Sequence, residues 1–107
     1  MEITIIPEND VQYIEIHGRV DAINSGEVQD KLMKLTNDGY KKLLVCMEHV
    51  DYISSSGLRS FLSVGKSVGK EGFLKFCCMQ PTVKEVFTIT GFNSIFKIYD
   101  SKAEALD

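Results

Sequence analysis

Ser54, Ser55 and Ser56 stand in a row before Gly57 and Leu58, and they are the residues best placed for a covalent modification. The apolar run Lys42-Leu43-Leu44-Val45-Cys46-Met47 precedes them and has the makeup of a strand buried on both faces. Beyond them Leu58, Phe61, Leu62, Gly65 and Val68 recur at helical spacing, which gives one apolar face to a helix beginning near Gly57. The serines therefore fall on a strand-to-helix turn. A serine hydroxyl there accepts a hydrogen bond from a backbone N–H that the helix leaves unpaired. The same free N–H groups and the positive end of the helix dipole favour an anion, so a phosphate fits the turn without breaking the fold. Two readings stand at this point: plain helix caps, or a site of phosphorylation.

Other chemistry is thinly represented. A hydrolase elbow needs Gly-x-Ser-x-Gly, and no glycine stands two residues before any of these serines. Of the histidines, His17 closes a strand and His49 sits beside the serine loop, where an isolated imidazole reads as solvated surface. A nucleotide phosphate could rest on the serine hydroxyls and Gly57, but neither a Gly-x-x-x-x-Gly-Lys-[Ser/Thr] loop nor a Gly-x-Gly-x-x-Gly turn is present. Gly65, Gly69 and Gly72 suit packing and capping instead. Cys46, Cys77 and Cys78 are expected in strands as small apolar residues, and no metal-ligand spacing joins them. Lys41, Lys42, Lys66, Lys70 and Lys75 read as solvated surface; Arg59, in the first turn of the serine helix, faces solvent, a partner or a phosphate.

These residues need a frame to hold them. With 107 residues the chain makes one domain. A net charge of −3 offers no broad basic surface for nucleic acid. No segment approaches the roughly 20 apolar residues of a membrane span, and Met1-Glu2-Ile3-Thr4 does not open a signal peptide; the chain reads as cytoplasmic. Glu2–Ile6 and Val11–His17 are expected as strands around the turn Pro7-Glu8-Asn9-Asp10. Gly18-Arg19-Val20-Asp21-Ala22 is then a polar loop, and Asn24 and Glu27 are spaced as a capping box. The helix that follows turns Val28, Leu32 and Leu35 inward and closes at Asp38-Gly39. After the serine helix come a strand from Phe73 to Cys78 and a helix opening on Gln80-Pro81-Thr82, with Val83, Val86 and Phe87 inward and Gly91 as its cap. A strand from Ile95 to Tyr99 and a helix capped by Ser101 end the chain. The order β-β-α-β-α-β-α-β-α predicts an α/β domain with a mixed, mostly parallel sheet of four to five strands and about four helices. Sites in such sheets gather at the carboxyl ends of the parallel strands, where the Asp21 loop and the Ser54–Gly57 loop should meet. The core is drawn from Ile14, Ile16, Leu32, Leu35, Leu44, Cys46, Leu58, Phe61, Leu62, Val83 and Phe87.

Taken together, Gly18-Arg19-Val20-Asp21, Ser55-Ser56-Gly57-Leu58, Pro81, Val83, Phe87, Gly91, Phe92, Phe96-Lys97-Ile98 and Glu104-Ala105 resemble the STAS domain of the stand-alone bacterial anti-sigma factor antagonists over nearly the whole chain, 1–107. The resemblance implies partner switching without catalysis or cofactor. Unphosphorylated, such a protein binds an anti-sigma factor that is also a serine kinase and so releases a sigma factor. The kinase phosphorylates a serine at this turn, and a metal-dependent serine phosphatase reverses it. The family's motif is Asp-Ser-Ser-Gly-Leu with the first serine phosphorylated, which carries over to Ser55, with Ser56 as the second candidate. Here Ser54 stands in the place of the aspartate. Partner contacts are expected from Asp21, Ser54, Ser55, Ser56, Gly57, Leu58 and Arg59, in a monomer or weak dimer. The alternative within the family is a ligand- or nucleotide-sensing module, or a switch component of a non-transcriptional signalling or transport complex.

Overall fold

In the computed structural model, which describes residues 1–107, alternating apolar residues near the start pair into a hairpin. Strands β1 (Glu2–Glu8) and β2 (Val11–His17) run antiparallel, with Ile3 opposite Ile16 and Glu8 opposite Val11. Pro7 and Glu8 belong to the strand, not to the turn expected for them, and only Asn9 and Asp10 make the bend. Asn9 takes φ 57°, a left-handed conformation that asparagine tolerates in tight hairpin turns. A proline is accepted because β1 is an edge strand. Lys42 Nζ binds Asp10 Oδ2 at 2.7 Å and, chiefly through that hydrogen bond, holds the carboxyl below its ordinary range.

The rest alternates. Helix α1 (Ser25–Asn37) leads to β3 (Lys42–His49), α2 (Ser55–Ser67), β4 (Phe73–Cys77), α3 (Pro81–Ile89), β5 (Lys97–Tyr99) and α4 (Lys102–Leu106). The sheet is mixed, ordered β1-β2-β3-β4-β5, antiparallel only in its first pair. This is the α/β architecture expected, with five strands and four helices. Successive strand residues face opposite sides. Ile14, Ile16, Leu43, Val45, Met47, Leu74 and Phe76 pack on α1, α2 and α3. Tyr13, Leu44, Cys46 and Cys77 pack on the other face, under Ala105 of α4. Phe76 is the hub of the larger core, with Phe61, Phe87 and Phe96 edge-on to it at ring distances of 5.0, 5.3 and 5.4 Å.

Several local expectations change. Val64 is fully buried and takes much of the inward place given to Leu62, while Leu62 and Leu35 are half-buried at the margin of the core. A 3-10 turn at Phe92–Ser94 displaces the last strand, which begins at Lys97, and leaves Ile95 exposed. Strand β4 ends at Cys77 because Cys78 turns to φ 62°. Asn24 precedes α1 but makes no side-chain cap; its amide is committed to the preceding loop. The cap at Ser101 forms as expected, accepting from Glu104 N at 3.2 Å. Helices α1 and α2 are joined by short hydroxyl groups: Ser60 Oγ donates to Ser25 O and Ser67 Oγ to Thr36 Oγ1, each at 3.1 Å.

Candidate functional site

The serine turn is built from its cap outward. Ser54 is extended (φ −91°, ψ 170°), and its Oγ accepts from Gly57 N at 3.1 Å, so Ser54 is the N-cap and α2 begins at Ser55, two residues before the expected start. An aspartate would cap the same position equally well; the change to serine keeps the hydrogen bond and removes a charge. Ser55 and Ser56 are the first two residues of the helix, Ser55 exposed and Ser56 half-buried. Their own N–H groups have no backbone acceptor. Arg59 Nη2 donates to Ser56 Oγ at 3.2 Å, which brings an exposed cation back over the turn. Gly57 and Leu58 are buried beneath it. Gly57 sits against the neighbouring loop: a Cβ there would lie 2.8 Å from Val20 Cγ1 and 2.9 Å from Ile53 Cγ1.

That neighbour is the Asp21 loop, and the two loops do meet. Val20 and Ile53 form a parallel bridge, with Val20 N bonded to Tyr52 O and Ser54 N to Val20 O, both at 2.9 Å. The loop is less polar than it reads, since Val20 is fully buried and serves as its anchor. Asp21 is heavily engaged. Its Oδ1 accepts from Ile23 N at 3.0 Å and Asn24 N at 3.1 Å, and its Oδ2 lies 3.2 Å from Arg19 Nε. Asn24 answers by accepting from Asp21 N and donating to Arg19 O. Asp21 thus shapes the loop, and Arg19 offsets its charge.

Two exposed residues at the site were not among the expected partner contacts. Ile23 is 95% exposed at the tip of the Asp21 loop, and Tyr52 is 45% exposed beneath the Arg19 guanidinium, 4.6 Å from its ring centre. A bare isoleucine amid Asp21, Ala22 and Asn24 was the available signal. Apolar tips beside a polar turn suit a surface that meets another protein. His49 stacks on His17 at 4.3 Å, with Nε2 3.3 Å from Glu48. The largest cleft, lined by Leu62, Gly65, Phe73, Lys75 and Phe96 among others, lies toward the far end of α2. Two groups of side chains have metal-ligand types close together, Cys46 with Cys77 and Cys78, and Glu15 with His17 and His49.

Known proteins resemble this chain in sequence and in fold. BtrV of Bordetella bronchiseptica, named as a candidate anti-sigma factor antagonist, is 35% identical over 91 residues, covering 84% of this chain and 78% of its own. The anti-sigma-B factor antagonist of Bacillus subtilis is 34% identical over 92 residues, 85% of this chain and 83% of its own. The crystal structure of an anti-sigma factor antagonist from Mycobacterium paratuberculosis superposes with a TM-score of 0.91 at 18% identity, over 98% of this chain and 90% of its own, and shares the fold. The STAS domain model matches residues 2–105. With the five-stranded mixed sheet and the serine turn where two of its loops meet, this chain belongs to the STAS domain family.

Proposed function

We propose that this chain is a phosphorylation-regulated protein switch without catalytic activity of its own. Unphosphorylated, it binds a kinase-type anti-sigma factor through the surface shared by the serine turn and the Asp21 loop, and so frees a sigma factor for transcription. The kinase transfers a phosphoryl group to Ser55 Oγ, and a metal-dependent serine phosphatase removes it. The switch works in the cytoplasm as a monomer or weak dimer.

The observation that carries this reading is the setting of Ser55. Its side chain is exposed on the first residue of α2, beside two N–H groups without backbone acceptors. A phosphate there meets the positive end of the helix and so leaves the fold intact. It also places about −1.5 to −2 charges on a surface that otherwise offers Ile23, Tyr52, uncharged serines, the Arg19–Asp21 ion pair and the single cation of Arg59. Burying that charge against a partner without a matching cation is costly, which gives the switch its off state. Ser56 is the poorer acceptor because its hydroxyl is half-buried and already bonded to Arg59. The relatives from Bordetella bronchiseptica and Bacillus subtilis, both named for antagonism of an anti-sigma factor, point to the same class of partner.

The test is incubation with the cognate kinase and ATP, followed by mass spectrometry of the peptide spanning Asp51 to Arg59. Ser55→Ala should bind the kinase yet stay unmodified, and Ser55→Asp should fold normally and bind more weakly. Full phosphorylation of Ser55→Ala at another residue would overturn the assignment. Retrieval of metabolic enzymes alone in a pull-down, with no kinase or kinase-like protein, would overturn the partner.

A further inference from the structure

The sheet face opposite α1, α2 and α3 carries a cluster that the serine switch does not use. Cys46 and Cys77 are register partners on the parallel strands β3 and β4, so both side chains emerge on this face. Cys78 is the next residue and would point to the opposite side if β4 continued. Instead its backbone enters the left-handed region at φ 62°, with its N–H bonded to Tyr99 O at 3.1 Å. That turn brings the third thiol back beside the other two. All three sulfurs lie within 4.8 Å of one another, and none is in a disulfide.

We propose that Cys46, Cys77 and Cys78 form a three-thiolate site for one thiophilic metal ion, zinc or monovalent copper. Metal–sulfur bonds of about 2.3 Å require sulfurs roughly 3.8–4 Å apart, so small side-chain rotations close the cluster on an ion. The donors are all sulfur, which selects soft ions over magnesium or calcium. The walls are apolar: Tyr13, Leu44 and Ala105 pack around Cys46 and Cys77, which are 4% and 0% exposed. Half-buried Cys78 stands at the mouth.

Binding releases the thiol protons to solvent, because the charge of the ion favours the thiolate form of each ligand. The neighbouring Glu15, His17 and His49 group is a weaker candidate. Its imidazoles are stacked with planes only 14° apart, so their nitrogen lone pairs do not converge on one point.

The two ions differ in what they ask of the mouth. Zinc completes a tetrahedron with a water beside Cys78, whereas monovalent copper is satisfied by three sulfurs. The whole chain, kept reduced by a phosphine, is titrated with zinc against a chromophoric chelator and, separately, with monovalent copper against a chelator of that ion. One equivalent of zinc, of copper or of both should be taken up, and the preferred ion identifies the form. Cys78→Ser, a near-isosteric change at a half-exposed turn, should lower the affinity at least about tenfold, since even changes beyond the ligands cost that much. Its circular dichroism should match the wild type. As a check that needs no variant, the bound ion should shield Cys78, the one accessible thiol of the three, from iodoacetamide, read by mass spectrometry. Failure to bind either ion at one equivalent, equal binding by a folded Cys78→Ser, or unchanged alkylation of Cys78 would overturn the site.

Discussion

Ser54 and Gly57 do structural work at the turn where Ser55 is offered to solvent. Ser54 holds α2 open at its first residue through one hydrogen bond to Gly57 N. Ser54→Ala should therefore cost about 1 kcal/mol, while Ser54→Asp, which restores an equivalent cap, should stay within about 0.5 kcal/mol of the wild type. The shift of the urea midpoint at constant slope reads both. Gly57 has no room for a methyl group between Val20 and Ile53. Crowding of this kind costs about 1–3 kcal/mol, and a better helix former returns up to about 1. Gly57→Ala should thus lose about 1–2 kcal/mol, whereas Gly26→Ala, with nothing within 4 Å of the new Cβ, should gain up to about 1 kcal/mol. Comparing the two by thermal unfolding separates crowding from propensity.

At the scale of elements, the site exists because two loops from neighbouring parallel strands are bridged at Val20 and Ile53. The Asp21 carboxylate keeps its loop in shape by accepting two backbone N–H groups. Asp21→Asn retains an acceptor oxygen and should leave stability nearly unchanged, while Asp21→Ala should cost about 1–2 kcal/mol for two lost bonds. Binding of the partner should follow a different order. If Asp21 touches the partner through its charge, Asn weakens binding as much as Ala; if it acts by shaping Ile23 and its loop, Asn binds like the wild type. Calorimetry on the three proteins tells the two roles apart.

For the whole molecule, stability concentrates at Phe76, where β4 meets α2, α3 and the segment before β5 through three edge-on aromatic contacts. Phe76→Ala should cost about 3–5 kcal/mol, a large share of the roughly 5–15 kcal/mol available to such a domain. Denaturant unfolding should show it as a strongly lowered midpoint. The exposed Ser55 lies outside this hub, so the phosphate proposed for it should leave the core packing unchanged.

The order of elements, the mixed sheet and the turn bearing Ser54, Ser55 and Ser56 were legible in the chain itself, because apolar periodicity and cap chemistry are local properties. The same holds for Gly39 and Gly91, whose positive φ ends α1 and α3. What lay beyond the sequence depends on contacts between distant segments. Asn24 has cap chemistry but spends it on Arg19 and Asp21, a choice made by the loop and not by the helix. Phe76 reads as one more strand residue until three helical and loop aromatics converge on it. Ile23 reads as a minor apolar residue until the loop holds it in solvent. Cys46, Cys77 and Cys78 carry no metal-ligand spacing, and only strand register together with one left-handed residue brings their sulfurs together. Periodicity specifies which side of an element is apolar; register and loop geometry decide which polar groups meet.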